Sequence, residues 1–423
     1  MTRSTVDRMP LTAGQQLVWL AQRLAPASPL YNAAECVEIH GQLDVSSFEH
    51  AVRVAVAEAD ALNVCVVEEQ GRTTQVHRSA TDWKFPVIDL SGDSDPLTAA
   101  RGWMATDLAE PVDMTTEPLF GHALFVLGPG RHLWYHRCHH IALDGYGFFL
   151  VAQRVAQVYT APDSAGRWFG ALRSVVEADH AYQRSEQREL DSKFWQARYA
   201  DHPPALSFTD RIAAPSGRIL RRSALLPEDV ATGLSQAARR GGVSWPKLVF
   251  AVVARQVHRR TGANEIVLGS CLMGRLGSLA ARTPAMIANI VPVRVLVRAG
   301  DDLLTVARSV GQEMRAIKPH TRYRGEHVRR DLRLLGGERR LYGPVVNVLP
   351  FDYDLSFGSS RGFAKNLSTG PHGIEDIVIN FHVRSNQPPE LDLDANPRCY
   401  SEAGLEELLG ELVTSLVHAA RRP

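Results

Sequence analysis

The sequence has no run of 18 or more consecutive apolar residues, and its opening stretch, MTRSTVDRMPLTAGQQ, carries no apolar core of the kind a secretory leader needs. These absences point to a cytoplasmic protein with no membrane-spanning helix. An excess of one charge is also missing. Lysine and arginine number 47 against 46 acidic residues, and the net charge of +1 leaves no global field to hold nucleic acid or an anionic membrane. Cysteine is sparse and unpatterned. Cys36, Cys65, Cys138, Cys271 and Cys399 are odd in number and lack the paired spacing of a zinc or dithiol site, so they read as reduced, mostly buried small side chains. No short-period repeat or low-complexity tract breaks the chain.

What is present is ordinary globular composition, with 45% hydrophobic and 22% charged residues over 423 positions. That length exceeds one ordinary core and predicts two lobes. Elements alternate from the start. After Pro10, Leu17, Leu20 and Leu24 fall at helical spacing behind Thr12 as a cap. Val37 to His40 reads as a strand, Ser46-Ser47 as the cap of a helix lined by Phe48, Val52, Ala55 and Ala59, and Leu62 to Glu68 as extended chain. Gly128-Pro129-Gly130 is a turn between HALFVL and HLWYHRC, a hairpin signal. Phe148, Val151, Ala152, Val155 and Tyr159 then recur at helical spacing up to the small, polar 161–166, the expected lobe boundary. A charged helical region spans 172–200. Beyond it come an apolar helix opening at Ser244-Trp245-Pro246 and ending near Gly262, the strands EIVLGSCLMG, PVVNVLPF and DIVINFHV, and a closing helix capped by Ser401 with Leu405, Leu408, Leu409, Leu412 and Leu416 on one face.

The stretch RCHHIALDGYGFF, from Arg137 to Phe149, places two adjacent histidines ahead of an Asp-Gly where a strand pattern gives way to a helical one. With His132 and His136 nearby, metal binding is considered first. Ligands two apart along a strand are too widely spaced, and no cysteine or carboxylate completes a set, so no metal is expected. Acid–base chemistry is the stronger reading, because histidine titrates nearest neutrality. Consecutive strand residues point to opposite faces, so only one of His139 and His140 is expected to face substrate while the other is held in the wall. Asp144 reads either as a helix N-cap or as a carboxylate paired with a distant arginine. Gly145 suits either through its backbone freedom.

His139-His140-Ile141-Ala142-Leu143-Asp144-Gly145 matches the HHxxxDG motif, and the chain resembles the condensation domains of non-ribosomal peptide synthetases, relatives of chloramphenicol acetyltransferase. PLTAGQQLVWLAQRL, with Gln15 and Trp19, is similar to their opening helix. Gly274-Arg275-Leu276-Gly277-Ser278 followed by AMIANIVPVRV, with Asn289 and Pro292, resembles a second segment. YGPVVNVLPFDYDL and LSTGPHGIEDIVINF are similar to late segments of the siderophore-synthetase branch. The match is collinear from about Pro10 to the end. It departs from the commonest pattern at AEADALNVCV, where the family usually places a structural arginine.

The resemblance implies an α/β fold of two chloramphenicol acetyltransferase-like lobes in a V-shaped pseudo-dimer with a tunnel between them, here 1–166 carrying the motif and 167–423. It implies an amide-forming acyltransferase: a donor acyl thioester on one carrier protein is joined to the amine of an aminoacyl group on another. His140 is the expected catalytic residue, as base or as the group that positions the amine, and Gly145 the expected source of a backbone N–H near the reacting carbonyl. His139, Asp144 and Arg275 support the site, Asp144 paired with Arg275. No cofactor of its own is implied, since the substrates ride on the 4'-phosphopantetheine arms of peptidyl or aryl carrier proteins. Those carriers and an adjacent adenylation domain are the expected partners of a monomeric chain. The basic segment with Arg322, Arg324, Arg329 and Arg330 reads either as a carrier-docking patch or as a solvated helical face interleaved with Glu313, Glu326 and Asp331. Alternatives are an acyltransferase that uses acyl-coenzyme A or a soluble amine or alcohol, and a non-catalytic recruitment domain on the same scaffold. The intact histidines speak against the recruitment domain.

Overall fold

The computed structural model describes residues 8–78, 82–164, 168–216, 218–275, 278–334, 340–349, 353, 355–368, 375–384 and 387–421. It is mixed α/β, as expected, and divides into two compact units that are not consecutive along the chain. The first comprises Met1–Arg184, Arg275–Ile287 and Tyr353–His372; the second comprises Ser185–Gly274, Ala288–Asp352 and Gly373–Pro423. The boundary expected within 161–166 runs into 165–167, which lie outside the described residues.

The first unit is built on a six-stranded sheet in the order Leu355–Phe357, Ser360–Asn366, Asn32–His40, Arg131–His139, Phe120–Gly128, Val87–Asp89. Phe120–Gly128 and Arg131–His139 form the expected hairpin, closed by Gly130 at a φ of +66°, which a side chain would strain. Arg131–His139 is a central strand, paired on its other edge with Asn32–His40 so that His139 lies opposite Asn32. Most of its residues are buried on both faces, as a central strand covered on both sides requires. Arg8–Pro10, Arg72–His77 and Val64–Glu69 make a small second sheet. The second unit carries its own six-stranded sheet, whose central strands are Val345–Leu349 and Ile377–His382, packed by Trp245–Thr261 and the closing helix Glu402–Arg421.

Several local expectations hold in detail. Thr12 caps the opening helix Ala13–Leu24 through a capping box with Gln15. Gly262, at a φ of +71°, ends Trp245–Thr261, and the five leucines of the closing helix are buried. Others need correcting. The opening helix does not bury Leu20 and Leu24, which are 57% and 89% exposed; it buries Gln15, Val18, Trp19 and Gln22. The second helix, Val45–Glu58, is capped by Asp44, whose carboxylate accepts from Ser47 N, and not by the serines. The charged region 172–200 is two helices, Leu172–Gln183 and Glu186–Arg198, the latter capped by Ser185.

The helix after the histidine motif, Gly145–Thr160, packs on Val45–Glu58. A fully buried guanidinium joins them: Arg154 Nε and Nη2 donate to Glu58 Oε2 and Oε1 at 2.8 and 2.7 Å. A buried charge that loses its partner keeps its desolvation cost, so Glu58→Ala should destabilise the first unit by about 3–5 kcal/mol. Glu49→Ala, which breaks the partly exposed i,i+4 pair with Arg53 on the same helix, should cost no more than about 0.5 kcal/mol. Denaturant unfolding of the two variants side by side tests the contrast.

Candidate functional site

The strand Arg131–His139 ends at the first histidine, and the backbone is pinned on both sides as it leaves the sheet. His139 N donates to Leu119 O and His140 N to Tyr31 O, both at 2.7 Å, and Ala142 N closes a turn onto His139 O at 2.9 Å. Both histidines are buried, at 1% and 6% exposure. Their hydrogen bonds assign them different protons. His139 Nδ1 accepts from Ile141 N at 3.2 Å, so its proton sits on Nε2, which faces Gln22 Oε1 at 3.5 Å. Burial, helped by the neighbouring His140 and Arg137, pushes the His139 pKa down to about 3, which keeps the ring neutral at physiological pH. His140 is the reverse. Its Nδ1 lies 2.6 Å from Leu143 O, an oxygen that can only accept, so Nδ1 carries a proton, and in the neutral ring the lone pair is on Nε2.

Asp144 fulfils both readings at once, one oxygen for each. Oδ1 accepts from Gly147 N at 3.0 Å and caps the helix Gly145–Thr160. Oδ2 accepts from Arg275 Nη1 at 2.7 Å and from Ile287 N at 2.9 Å. Arg275 also donates through Nη2 to Ala285 O at 2.6 Å and lies over the Tyr146 ring. The pair is almost fully buried, with 2% side-chain exposure for each partner. Burial opposes the charge on Asp144, but Arg275 and the two backbone N–H groups outweigh it and hold the carboxyl below the ordinary carboxylate range. Arg275 belongs to the same compact unit as Asp144, although 131 positions separate them in sequence. The other expected members of its segment, Leu276 and Gly277, lie outside the described residues.

Gly145 is the first residue of its helix and exposed, but not for the reasons its chemistry suggested. Its φ is not positive, and a Cβ built on it would meet nothing within 4 Å. By position its N–H has no acceptor within the helix, and it lies at the positive end of the helix dipole.

The opening helix supplies Gln22, which the sequence reading did not single out, and Gln15, which the family resemblance did. Gln22 Nε2 donates to Ala25 O, Pro26 O and Ser28 O at 3.2, 3.2 and 2.9 Å, while its oxygen faces His139. Gln15 Nε2 reaches Ile141 O at 3.2 Å, inside the histidine loop. Gln15 and Gln22 lie seven residues apart on one helical stripe, a polar spacing to which apolar periodicity is blind. Asn289 is in the second unit, where Nδ2 donates to Thr321 O and Tyr323 O and Oδ1 accepts from Gly325 N, ordering the turn into Gly325–Asp331. At the departure from the usual arginine, Asn63 donates through Nδ2 to Val56 O at 2.6 Å and Ala59 O at 3.1 Å. His132 and His136 remain in the strand. His136 stacks on Trp134 with ring centroids 4.5 Å apart and lies 3.4 Å from Glu35 Oε2. Among the described residues no cluster of three or more His, Cys, Asp or Glu side chains is placed to hold a metal. In the basic segment, Arg324 is buried and paired with Glu326, Arg329 pairs with Glu375 at 2.8 Å and Arg330 with Asp331 at 3.1 Å. Internal neutralisation accounts for these three charges.

The condensation-domain profile matches residues 6–423. The chain is 43% identical over 428 residues to an isonitrile lipopeptide synthase of Streptomyces coeruleorubidus, which covers 100% of this chain and 29% of that protein. It is 42% identical over 401 residues to a dimodular nonribosomal peptide synthase of Bacillus subtilis, covering 94% of this chain and 17% of that protein. The chain thus spans less than a third of the length of these relatives. Among solved structures, the first condensation domain of the calcium-dependent antibiotic synthetase, in complex with a substrate analogue, superposes with a TM-score of 0.91 at 34% identity, covering 99% of this chain and 98% of that one. A doubly substituted mutant of the starter condensation domain of rhizomide synthetase, bound to C8-CoA and Leu-SNAC, gives 0.90 at 34% identity over 98% and 94%.

Asp144→Asn keeps an oxygen for Gly147 N but leaves Arg275 facing a neutral amide, so it should cost about 3–5 kcal/mol in denaturant unfolding. The native carboxyl pKa is depressed, so the stability Asp144 contributes is complete above the unfolded value of about 3.9 and is lost as pH falls through the native one; the variant should lack that part of the acid transition. His139 acts at higher pH. Its contribution is complete above the unfolded value of about 6.5 and erodes as pH falls toward its native value of about 3. Between pH 7.5 and 5, melting temperatures of His139→Asn should therefore fall less than those of the parent.

Proposed function

The chain belongs to the condensation-domain family of non-ribosomal peptide synthetases, and from that premise we propose that it forms an amide between a carrier-bound acyl thioester and the amine of a carrier-bound aminoacyl group. The observation that carries the proposal is the tautomer of His140. Leu143 O holds its Nδ1 proton, so the lone pair sits on Nε2 of a buried ring one residue past the end of a central strand.

In the proposed reaction the neutral amine attacks the thioester carbon, negative charge develops on the carbonyl oxygen and the nitrogen gains positive charge. His140 Nε2 accepts the proton from nitrogen or orients the amine by accepting its hydrogen bond before attack. The intermediate collapses as the C–S bond breaks, and the departing thiolate takes up a proton to leave a free thiol. Gly145 N–H stabilises the developing oxyanion in this reading, which its position at a helix amino terminus supports. His139, Asp144 and Arg275 act indirectly by fixing the loop. A thioester is already activated, so no covalent acyl-enzyme is required. The phosphopantetheine arms belong to the donor and acceptor carrier proteins, and an adenylation domain is the proposed neighbour that loads the acceptor.

A second reading replaces the donor carrier with acyl-coenzyme A. It is favoured by the C8-CoA complex of a doubly substituted mutant of the starter condensation domain of rhizomide synthetase, 34% identical to this chain. Mass detection of the joined product, with the same acyl group offered on a carrier and on coenzyme A, separates the two; no product from carrier-bound donors would remove the first. With either donor, His140→Ala should lower the single-turnover rate by about 10²–10⁴-fold with an unchanged melting profile. An undiminished rate from a folded variant would remove His140 from the chemistry.

A further inference from the structure

The three-stranded sheet of the first unit, Arg8–Pro10, Arg72–His77 and Val64–Glu69, meets the opening helix through two buried glutamines, Gln15 at 3% exposure and Gln75 at 0%. Their side-chain amides face each other and bond reciprocally. Gln15 Nε2 donates to Gln75 Oε1 at 3.2 Å, and Gln75 Nε2 donates to Gln15 Oε1 at 3.1 Å. The second N–H of each amide is also used, that of Gln75 on Pro10 O at 3.0 Å and that of Gln15 on Ile141 O at 3.2 Å. Gln15 Oε1 accepts once more, from Thr12 N at 3.0 Å. Turning either amide over would bring oxygen against oxygen, at Pro10 O or at Ile141 O, so each amide has one orientation.

Ile141 O belongs to the peptide group that joins Ile141 to Ala142, and that group is held from both sides. Its oxygen accepts from Gln15, and its N–H, on Ala142, donates to His139 O at 2.9 Å. Two neighbouring bonds depend on it. The Ile141 N–H reaches His139 Nδ1, and one residue beyond Ala142 the carbonyl of Leu143 receives the Nδ1 proton of His140. A rotation of the 141–142 peptide would carry Leu143 O away from His140 Nδ1 and free the ring to move its proton to Nε2. Two leucines would fill the place of Gln15 and Gln75 without the desolvation cost of two amides. The matched hydrogen bonds offset that cost and, unlike leucines, fix a direction. The glutamine pair thus connects a paired sheet to the tautomer of His140.

We propose that Gln15 and Gln75 are positioning residues for His140: Gln75 fixes the Gln15 amide, and Gln15 fixes the 141–142 peptide that carries Leu143 O to the imidazole. The proposal rests on the reading of His140 as the group that meets the amine. Gln15→Glu isolates the effect. A glutamate keeps the oxygen that Thr12 N and Gln75 Nε2 use, and so preserves the helix cap, but it has no N–H for Ile141 O. At saturating donor and acceptor its single-turnover rate should fall about 10–100-fold with both half-saturation concentrations unchanged. Gln75→Met keeps the length of the side chain, removes its amide and should slow the reaction about three- to tenfold. Because Gln75 acts through Gln15, the double variant should be no slower than Gln15→Glu alone. The imidazole nitrogen NMR shifts of His140, assigned by their loss in His140→Ala, supply a readout that needs no reaction. At about pH 8.5, where a histidine is neutral, the parent should show the Nδ1–H form, and Gln15→Glu a mixture with the Nε2–H form. A rate within about twofold of the parent's, a slower rate with unmoved His140 shifts, or multiplying effects in the double variant would each overturn the proposal. A parent that forms no amide from any donor would remove the proposed reaction instead, and the shifts alone would then decide whether the pair sets His140. Should Gln15→Glu fail to fold, Gln75→Met decides by the same rate and shift criteria.

Discussion

The geometry of the histidine loop depends on one buried carboxylate. Asp144 gathers Gly147 N on one oxygen and Arg275 Nη1 and Ile287 N on the other. Burial alone would favour the neutral acid, and the ion pair with these backbone donors reverses that preference. A neutral residue at this point would leave the guanidinium without its counter-charge. A carboxylate without the arginine would bear the burial unaided. The pair therefore joins three parts of the chain, the loop 140–144, the helix after it and the returning segment 275–287, in a single arrangement that no one of them could hold.

With the loop fixed, two adjacent imidazoles acquire different chemistry from the same covalent group. Ile141 N points at His139 Nδ1 and Leu143 O at His140 Nδ1, so one ring has its Nδ1 as acceptor and the other has its Nδ1 as donor. Their exposed-versus-packed order along the strand does not set this difference. It follows from the turn that Ala142 N closes onto His139 O, which brings an N–H to one ring and a carbonyl to the next. A small backbone rearrangement between 139 and 143 would exchange these roles or remove them, which is why so many hydrogen bonds converge on a five-residue stretch.

Much of this was legible in the sequence, and the failures share a physical cause. The hairpin at Gly128–Gly130, the long helix ending at Gly262 and the leucine face of the closing helix obey local rules and stand where those rules place them. The opening helix reverses its apolar reading because its inward stripe carries Gln15 and Gln22, whose amides hold the loop, while Leu20 and Leu24 face outward. Periodicity assumes that buried means apolar, and it fails where a buried side chain is needed for its hydrogen bonds. Asp44 outcompetes two serines as a cap in the same way, by a specific bond to Ser47 N that composition does not reveal. The return of Arg275–Ile287 and of Ser360–Asn366 to the first unit is a long-range pairing with no local signature; only the family resemblance anticipated that Arg275 would meet Asp144.

A reacting group is only as well placed as the elements that carry it, and the helix Gly145–Thr160 is tied along its whole length. Asp144 fastens its amino terminus. Arg154 fastens its middle to Glu58, and Thr160 Oγ1 fastens its end, donating to Ser356 O at 2.9 Å while accepting from Gly358 N at 3.1 Å. The histidine strand is equally constrained, with neighbours paired along both edges. The loop between them is thus suspended from two rigid elements, with the opening helix bracing it through Gln15 and Gln22. Such a loop has little freedom to reorganise around a substrate. In the proposed reaction the reacting atoms are therefore brought to His140, and His140 is not moved to them.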